Sequence, residues 1–221
     1  EDDKFRKFRF RNDNDKSFTK IFVKQGSRDM MNEAFRVLRT NVDLMIDKSS
    51  PSHVIMLTSF NPNAGKTFTI MNMAASMSLK GAKVLLVDLD LRKATLSKAL
   101  SVNHTGVAAY LNGKTEDYHG HIEALDNGLS ILPVGSLPPN PAELLLTDRF
   151  RNMIAELRKQ YDYIFLDCPP VDIVADASIV AEVVDMTIFV MRANLMDKRF
   201  LPTVEELYKS GKYNHMAMIL N

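Results

Sequence analysis

The chain has 221 residues, 46% hydrophobic and 25% charged, which suits one large α/β domain and excludes a chain disordered throughout. Lys and Arg number 28 against 27 Asp and Glu, a formal net charge of +1, so composition gives no support to nucleic-acid binding. The single cysteine, Cys168, forbids an internal disulfide and fits a reducing compartment, and no apolar run nears the roughly 18 residues of a membrane span.

The chain opens unlike the rest. Residues 4–11 interleave Lys4, Arg6, Lys7, Arg9 and Arg11 with Phe5, Phe8 and Phe10. Basic charge with interfacial aromatics suits the cytoplasmic side of a membrane. The alternative is an exposed arm, with Glu1-Asp2-Asp3-Lys4 left from an expression tag. Residues 1–27 are set apart as this arm, and residues 28–221 as the folded domain. Residues 29–46 read as a helix with Ala34, Val37, Leu38, Val42 and Met45 as its apolar stripe. Glu33, Arg36 and Arg39, three apart, form a neighbouring polar stripe. Ser49-Ser50-Pro51 breaks the pattern.

From residue 53, short apolar runs alternate with helical patterns. Val54 to Leu57 is the first run, followed by a Gly-containing turn and a helix from about Lys66 to Lys80, closed by Gly81. Val84 to Val87, Leu129 to Leu132, Tyr163 to Leu166, Met186 to Met191 and Met216 to Leu220 follow. Continuous apolar strands separated by helices indicate a parallel sheet covered on both faces. The expected fold is a doubly wound α/β domain with a mostly parallel sheet, and ligands belong at the carboxyl ends of its strands.

Chemistry concentrates at three of those ends. Ser59 to Thr67 (SFNPNAGKT) lies between the first strand and its helix, where Gly-Lys-Thr reads as a phosphate-binding loop: backbone N–H groups and the helix N-terminus face the phosphates. Lys66 would reach the β and γ phosphates and the Thr67 hydroxyl would ligate Mg²⁺, with Asn63, Ala64, Gly65 and Phe68 completing the nucleotide contacts. A standard loop has Gly where Phe60 stands. The run Leu85 to Arg92 (LLVDLDLR) ends in two carboxylates, and extended geometry would put Asp88 and Asp90 on one side. Ile164 to Pro170 (IFLDCPP) is another buried strand ending in a carboxylate, Asp167. Carboxylates at neighbouring strand ends beside a phosphate loop suit a hydrated Mg²⁺, which takes few protein ligands.

At these residues the chain resembles the bacterial tyrosine kinases of capsular and exopolysaccharide export. That family combines a phosphate loop with an apolar strand ending Asp-x-Asp-x-Arg, here Leu85 to Arg92, and a second ending Asp-x-Pro. Glu33-x-x-Arg36-x-x-Arg39 matches its oligomerisation motif, and Asn140 to Leu145 (NPAELL) also looks like a family segment. The similarity spans roughly residues 28–221. It implies a P-loop kinase domain that transfers the γ-phosphoryl of ATP to tyrosine between subunits. Lys66 and Thr67 then bind phosphate and Mg²⁺, Asp90 and Asp167 hold the metal partly through water, and Asp88 accepts the tyrosine proton. It also implies a cytoplasmic domain attached to the inner membrane, a homo-oligomeric ring through Glu33, Arg36 and Arg39, a fused or separate polysaccharide co-polymerase segment, and protein tyrosine substrates.

Two departures stand out. Asn63 and Ala64 replace the family's usual Gly and Glu, although Asn tolerates a left-handed conformation better than most residues. The family's tyrosine-rich tail has no counterpart: the six tyrosines are scattered, so the tail is expected to have been removed or never present. Two other functions compete. A dimerising ATPase of the cell-division or partitioning type would carry a lysine where Asn61 stands, and residues 49–65 contain none. A non-catalytic regulatory module is opposed by the presence of Lys66, Asp88, Asp90 and Asp167.

Overall fold

The computed structural model describes residues 21–125, 128–171, 176–195 and 198–221. The basic–aromatic run at 4–11 lies outside the described residues. In chain order the regular elements are α1 (Met30–Met45), β1 (His53–Thr58), α2 (Lys66–Ser78), β2 (Val84–Asp88), α3 (Thr95–Ala99) and α4 (Val107–Leu111). Then come β3 (Glu123–Ala124), β4 (Leu129–Leu132), α5 (Pro141–Leu145), α6 (Asp148–Leu157), β5 (Tyr163–Asp167), α7 (Asp176–Val180), β6 (Met186–Met191), α8 (Leu201–Lys209) and β7 (Ala217–Leu220).

The seven strands form one sheet in the order β3-β4-β2-β5-β1-β6-β7. All pairings are parallel except the short antiparallel step from β3 to β4, so the expected mostly parallel sheet is present. Each central strand is buried along its length because both faces are covered. Val54, Met56, Leu85 and Val87 point into a core with α4 to α8, whereas Ile55, Leu57, Val84 and Leu86 point into a core with α1 to α3. The period-two alternation therefore divides apolar side chains between two cores rather than between core and water.

Strand order fixes the site. Because β5 lies between β1 and β2, its terminal Asp167 is the register partner of Asp88 on β2 and stands one residue past the Leu166 that pairs with Met56 of β1. Val171 N–H donates to Ser59 C=O and the Thr58 hydroxyl to Pro169 C=O, tying the chain beyond β5 to the start of the loop after β1.

The inner face of α1 keeps Leu38 and Val42 of the expected stripe but not Ala34, Val37 and Met45. Phe35, Val42 and Ile46 are buried with Leu38 beside them, while Val37 is 60% exposed and Met45 44%. Ala34 is exposed as well. Two overlapping stripes at helical spacing exist in this sequence, and packing selects the one that brings Phe35 against Phe68 of α2, with ring centroids 5.9 Å apart. Asn32 is buried on the same side because its Oδ1 accepts the Lys24 N–H and its Nδ2 donates to Asp29, the residue capping the helix.

Candidate nucleotide site

Gly65 caps the N-terminus of α2 in the left-handed region at φ +95°. It supplies no side-chain cap, and the first turn of α2 contains no acidic residue. The opening N–H groups of a 13-residue helix thus face the loop without an internal acceptor, which favours an anion there. Asn63 is also left-handed, at φ +62°, as the sequence allows. Left-handed residues on both sides of Ala64 give the loop the alternation that gathers successive N–H groups on one side. Phe68 differs from its neighbours. Its ring lies between Phe22 and Phe35 in the α1–α2 contact, so only its backbone belongs to the loop.

Thr67 and Asp167 come together as the sequence implies. The Thr67 hydroxyl donates to Asp167 Oδ2 at 3.1 Å, while Asp167 Oδ1 is buried with no hydrogen-bond partner. Leaving a carboxylate oxygen buried and unsatisfied is costly, and a cation beside the loop would satisfy it. Among the described residues, no three His, Cys, Asp or Glu side chains gather as a ready-made metal site. Mg²⁺, which takes one or two carboxylates and completes its shell with water and phosphate oxygens, fits that donor set.

Asp88 and Asp90 do not share one extended face. The ladder ends where Leu89 N–H donates to Asp167 C=O, and Asp90 N–H turns back to Asp88 Oδ1 at 3.1 Å. Asp88 Oδ2 accepts from both the N–H and the hydroxyl of Ser97, at 2.8 and 2.7 Å. Asp90 accepts instead from Lys93 N–H at 3.1 Å and faces the Thr95 hydroxyl at 3.4 Å. Both carboxylates still lie at one end of the sheet and both are buried. Burial, followed by the neighbouring Asp167 charge, pushes Asp88 up to about 8. Burial also pushes Asp167 up to about 6, with Lys66 and the Thr67 hydrogen bond acting against it. Arg92, the last residue of the same signature, donates to the buried Asp176 at 3.3 Å.

Glu33, Arg36 and Arg39, expected to act together at a subunit contact, separate. Glu33 and Arg36 pair on the surface at 2.8 Å, with Arg36 also donating to Ser27 C=O. Arg39 instead turns inward and donates to the Ser76 carbonyl at 2.8 Å, in the last turn of α2. Three further residues, outside the sequence motifs, contribute: Ser97 on Asp88, Arg192 on the Asn63 carbonyl, and Asn221 on the Ala64 carbonyl. Asn221 carried the signal that marked Asp88 and Asp167, a polar residue ending an apolar strand. Ser97 and Arg192 carried none.

Known proteins resemble this chain over most of its length. A family described as an AAA domain matches residues 52–215. Tyrosine-protein kinase CpsD of Streptococcus pneumoniae serotype 4 is 35% identical over 191 residues, covering 86% of this chain and 83% of CpsD. A putative tyrosine-protein kinase from the cps region of Klebsiella pneumoniae is 32% identical over 202 residues, but the chain spans only 28% of that protein's length. Among solved structures, the kinase domain of the Escherichia coli tyrosine kinase ETK is 31% identical with a TM-score of 0.78, covering 86% of this chain and 74% of that one. The septum site-determining protein MinD of Pyrococcus horikoshii, at 24% identity and a TM-score of 0.64 over 77% of this chain and 70% of that one, shares the fold alone. On the strength of these relatives, the chain belongs to the bacterial tyrosine-protein kinases.

Proposed function

We propose that this chain binds ATP with Mg²⁺ at the loop between β1 and α2 and transfers the γ-phosphoryl group to tyrosine hydroxyls. The observation that carries this is the Thr67–Asp167 hydrogen bond with Asp167 Oδ1 left unpartnered beside an uncapped helix N-terminus. Asn63 to Phe68 offer backbone N–H groups to the phosphates, and Lys66 supplies positive charge. Thr67, Asp90 and Asp167 would hold Mg²⁺, directly or through water, and the metal would neutralise charge on the phosphate oxygens. Asp88, raised by burial, suits a proton acceptor working near neutral pH. Its Oδ2 accepts both the N–H and the hydroxyl of Ser97, while Oδ1 accepts the Asp90 N–H alone, so Oδ1 is the oxygen that would take the tyrosine proton.

Glu33 and Arg36 are offered as the exposed ion-pairing part of a subunit contact, in a ring that presents one copy's tyrosines to the next. The relative from the cps region of Klebsiella pneumoniae, of which the chain spans 28%, is in keeping with a polysaccharide co-polymerase partner, fused or separate. Membrane attachment would come through that partner or segment, with the kinase domain cytoplasmic. The MinD-like ATPase alternative has fold similarity behind it, but Asn61 stands where its lysine would be. Incubation of the chain with ATP, Mg²⁺ and a tyrosine-containing peptide separates the two: phosphotyrosine supports the kinase, and free phosphate without phosphotyrosine supports the switch.

A further inference from the structure

The ends of β6 and β7 hold the phosphate loop from outside. Asn221 extends β7 by one residue: its N–H donates to Met191 C=O at 2.7 Å, and its C=O accepts from Ala193 N–H at 2.9 Å. With its backbone fixed at both groups, its carboxamide reaches the loop, where Nδ2 donates to Ala64 C=O at 3.0 Å. Arg192, just past β6, donates through Nη1 to Asn63 C=O at 3.3 Å. Two consecutive loop carbonyls are thus bonded from the same side. The packing is close enough that a Cβ on Gly65 would collide with Asn221 Nδ2.

A planar trans peptide points its C=O and the following N–H in opposite directions. Holding the Asn63 carbonyl outward therefore turns the Ala64 N–H inward, and holding the Ala64 carbonyl outward does the same for the Gly65 N–H. Those N–H groups form the anion cradle. We propose that Asn221, assisted by Arg192, is a positioning residue that presets the phosphate loop and so sets its affinity for a polyphosphate whatever base is attached. The inference rests on this loop being the polyphosphate site of ATP.

The test compares Mg²⁺-ATP with Mg²⁺-tripolyphosphate, which lacks base and sugar, by calorimetric titration of the 221-residue chain. Asn221→Ala should weaken both ligands by the same factor, about 5- to 10-fold for one lost hydrogen bond. Arg192→Ala, at an exposed position where misfolding is not at issue, should weaken both equally and by less. Loss confined to ATP would overturn the inference, because the side chain would then be reading the base. Unchanged affinities for both ligands would overturn it too, while leaving the loop's assignment intact. A wild-type chain that binds neither ligand would overturn the loop's assignment and this inference with it.

Discussion

Thr67 and Asp167 meet at the carboxyl end of the sheet, where the threonine hydroxyl occupies one carboxylate oxygen at 3.1 Å and the other has no partner. An amide in place of that carboxylate keeps the shape and removes the charge a cation needs. Asp167→Asn should therefore remove the Mg²⁺ dependence of nucleotide binding while leaving the fold intact. Asp90→Asn should weaken the same dependence. Titrating Mg²⁺ at fixed ATP checks both, and an unchanged Mg²⁺ midpoint in either variant would contradict that residue's role.

In the proposed site, Lys66 is the charge offered most directly to the phosphates. Its replacement by Met should cut phosphoryl transfer by about 100- to 1,000-fold, the range for losing one preorganised donor to developing charge. The melting temperature should hardly move, because the lysine is only half-buried in the loop and surface changes cost within about 0.5 kcal/mol. Full activity in the variant would remove the phosphate-loop assignment.

The buried carboxylates carry a pH signature. Asp88 at about 8 and Asp167 at about 6 bind protons more tightly than at the ordinary 3.8. The folded chain then holds extra protons across this window, so their contribution to stability is full below about pH 4 and is lost as pH rises through about 6 and about 8. Buried His53, lowered by desolvation, acts in the opposite sense at lower pH, which makes the variant difference the clean readout. Without divalent cations, Asp88→Asn should gain stability over wild type increasingly from about pH 5 to about pH 8.5. A difference that is flat or shrinks with pH would contradict the raised value.

Glu33, Arg36 and Arg39 should not behave as one unit. Arg36 sits in an exposed pair three residues from Glu33, of a kind contributing about 0–1 kcal/mol. Arg36→Ala should leave the melting temperature nearly unchanged while lowering the assembled mass seen by light scattering at low salt. Arg39 ties α1 to the Ser76 carbonyl, and a hydrogen bond from a charged donor is worth about 1.5–3 kcal/mol. Arg39→Ala should cost stability of that order whatever the state of assembly. Equal effects on mass and on melting for the two variants would contradict the division.

The apolar runs made the parallel sheet legible, because central strands covered on both faces leave no polar alternation. The strand-end carboxylates were legible too. Their adjacency was not, since it depends on β5 inserting between β1 and β2, which no local pattern encodes. Leu38 and Val42 of the expected α1 stripe face inward, but Ala34, Val37 and Met45 do not, because Phe35 and Ile46 lie at helical spacing from the same two residues and take the buried places. Only the Phe35–Phe68 contact decides between the two sets. The two-residue strand β3 exists through its pairing with β4. The bond from Asn221 to Ala64 joins residues 157 apart, beyond anything spacing can show.

Transfer between chains tests the central claim most directly. The 221-residue chain serves as enzyme, and a Lys66→Met copy bearing an added tyrosine-rich C-terminal segment serves as acceptor, with ATP and Mg²⁺. Phosphotyrosine should appear on the acceptor's added segment and be lost when the enzyme carries Asp167→Asn. The unextended chain alone should label itself weakly, since Tyr213 is buried and Tyr208 lies on the helix α8. Release of phosphate from ATP with no phosphotyrosine on the acceptor would contradict the kinase and leave an ATPase in its place.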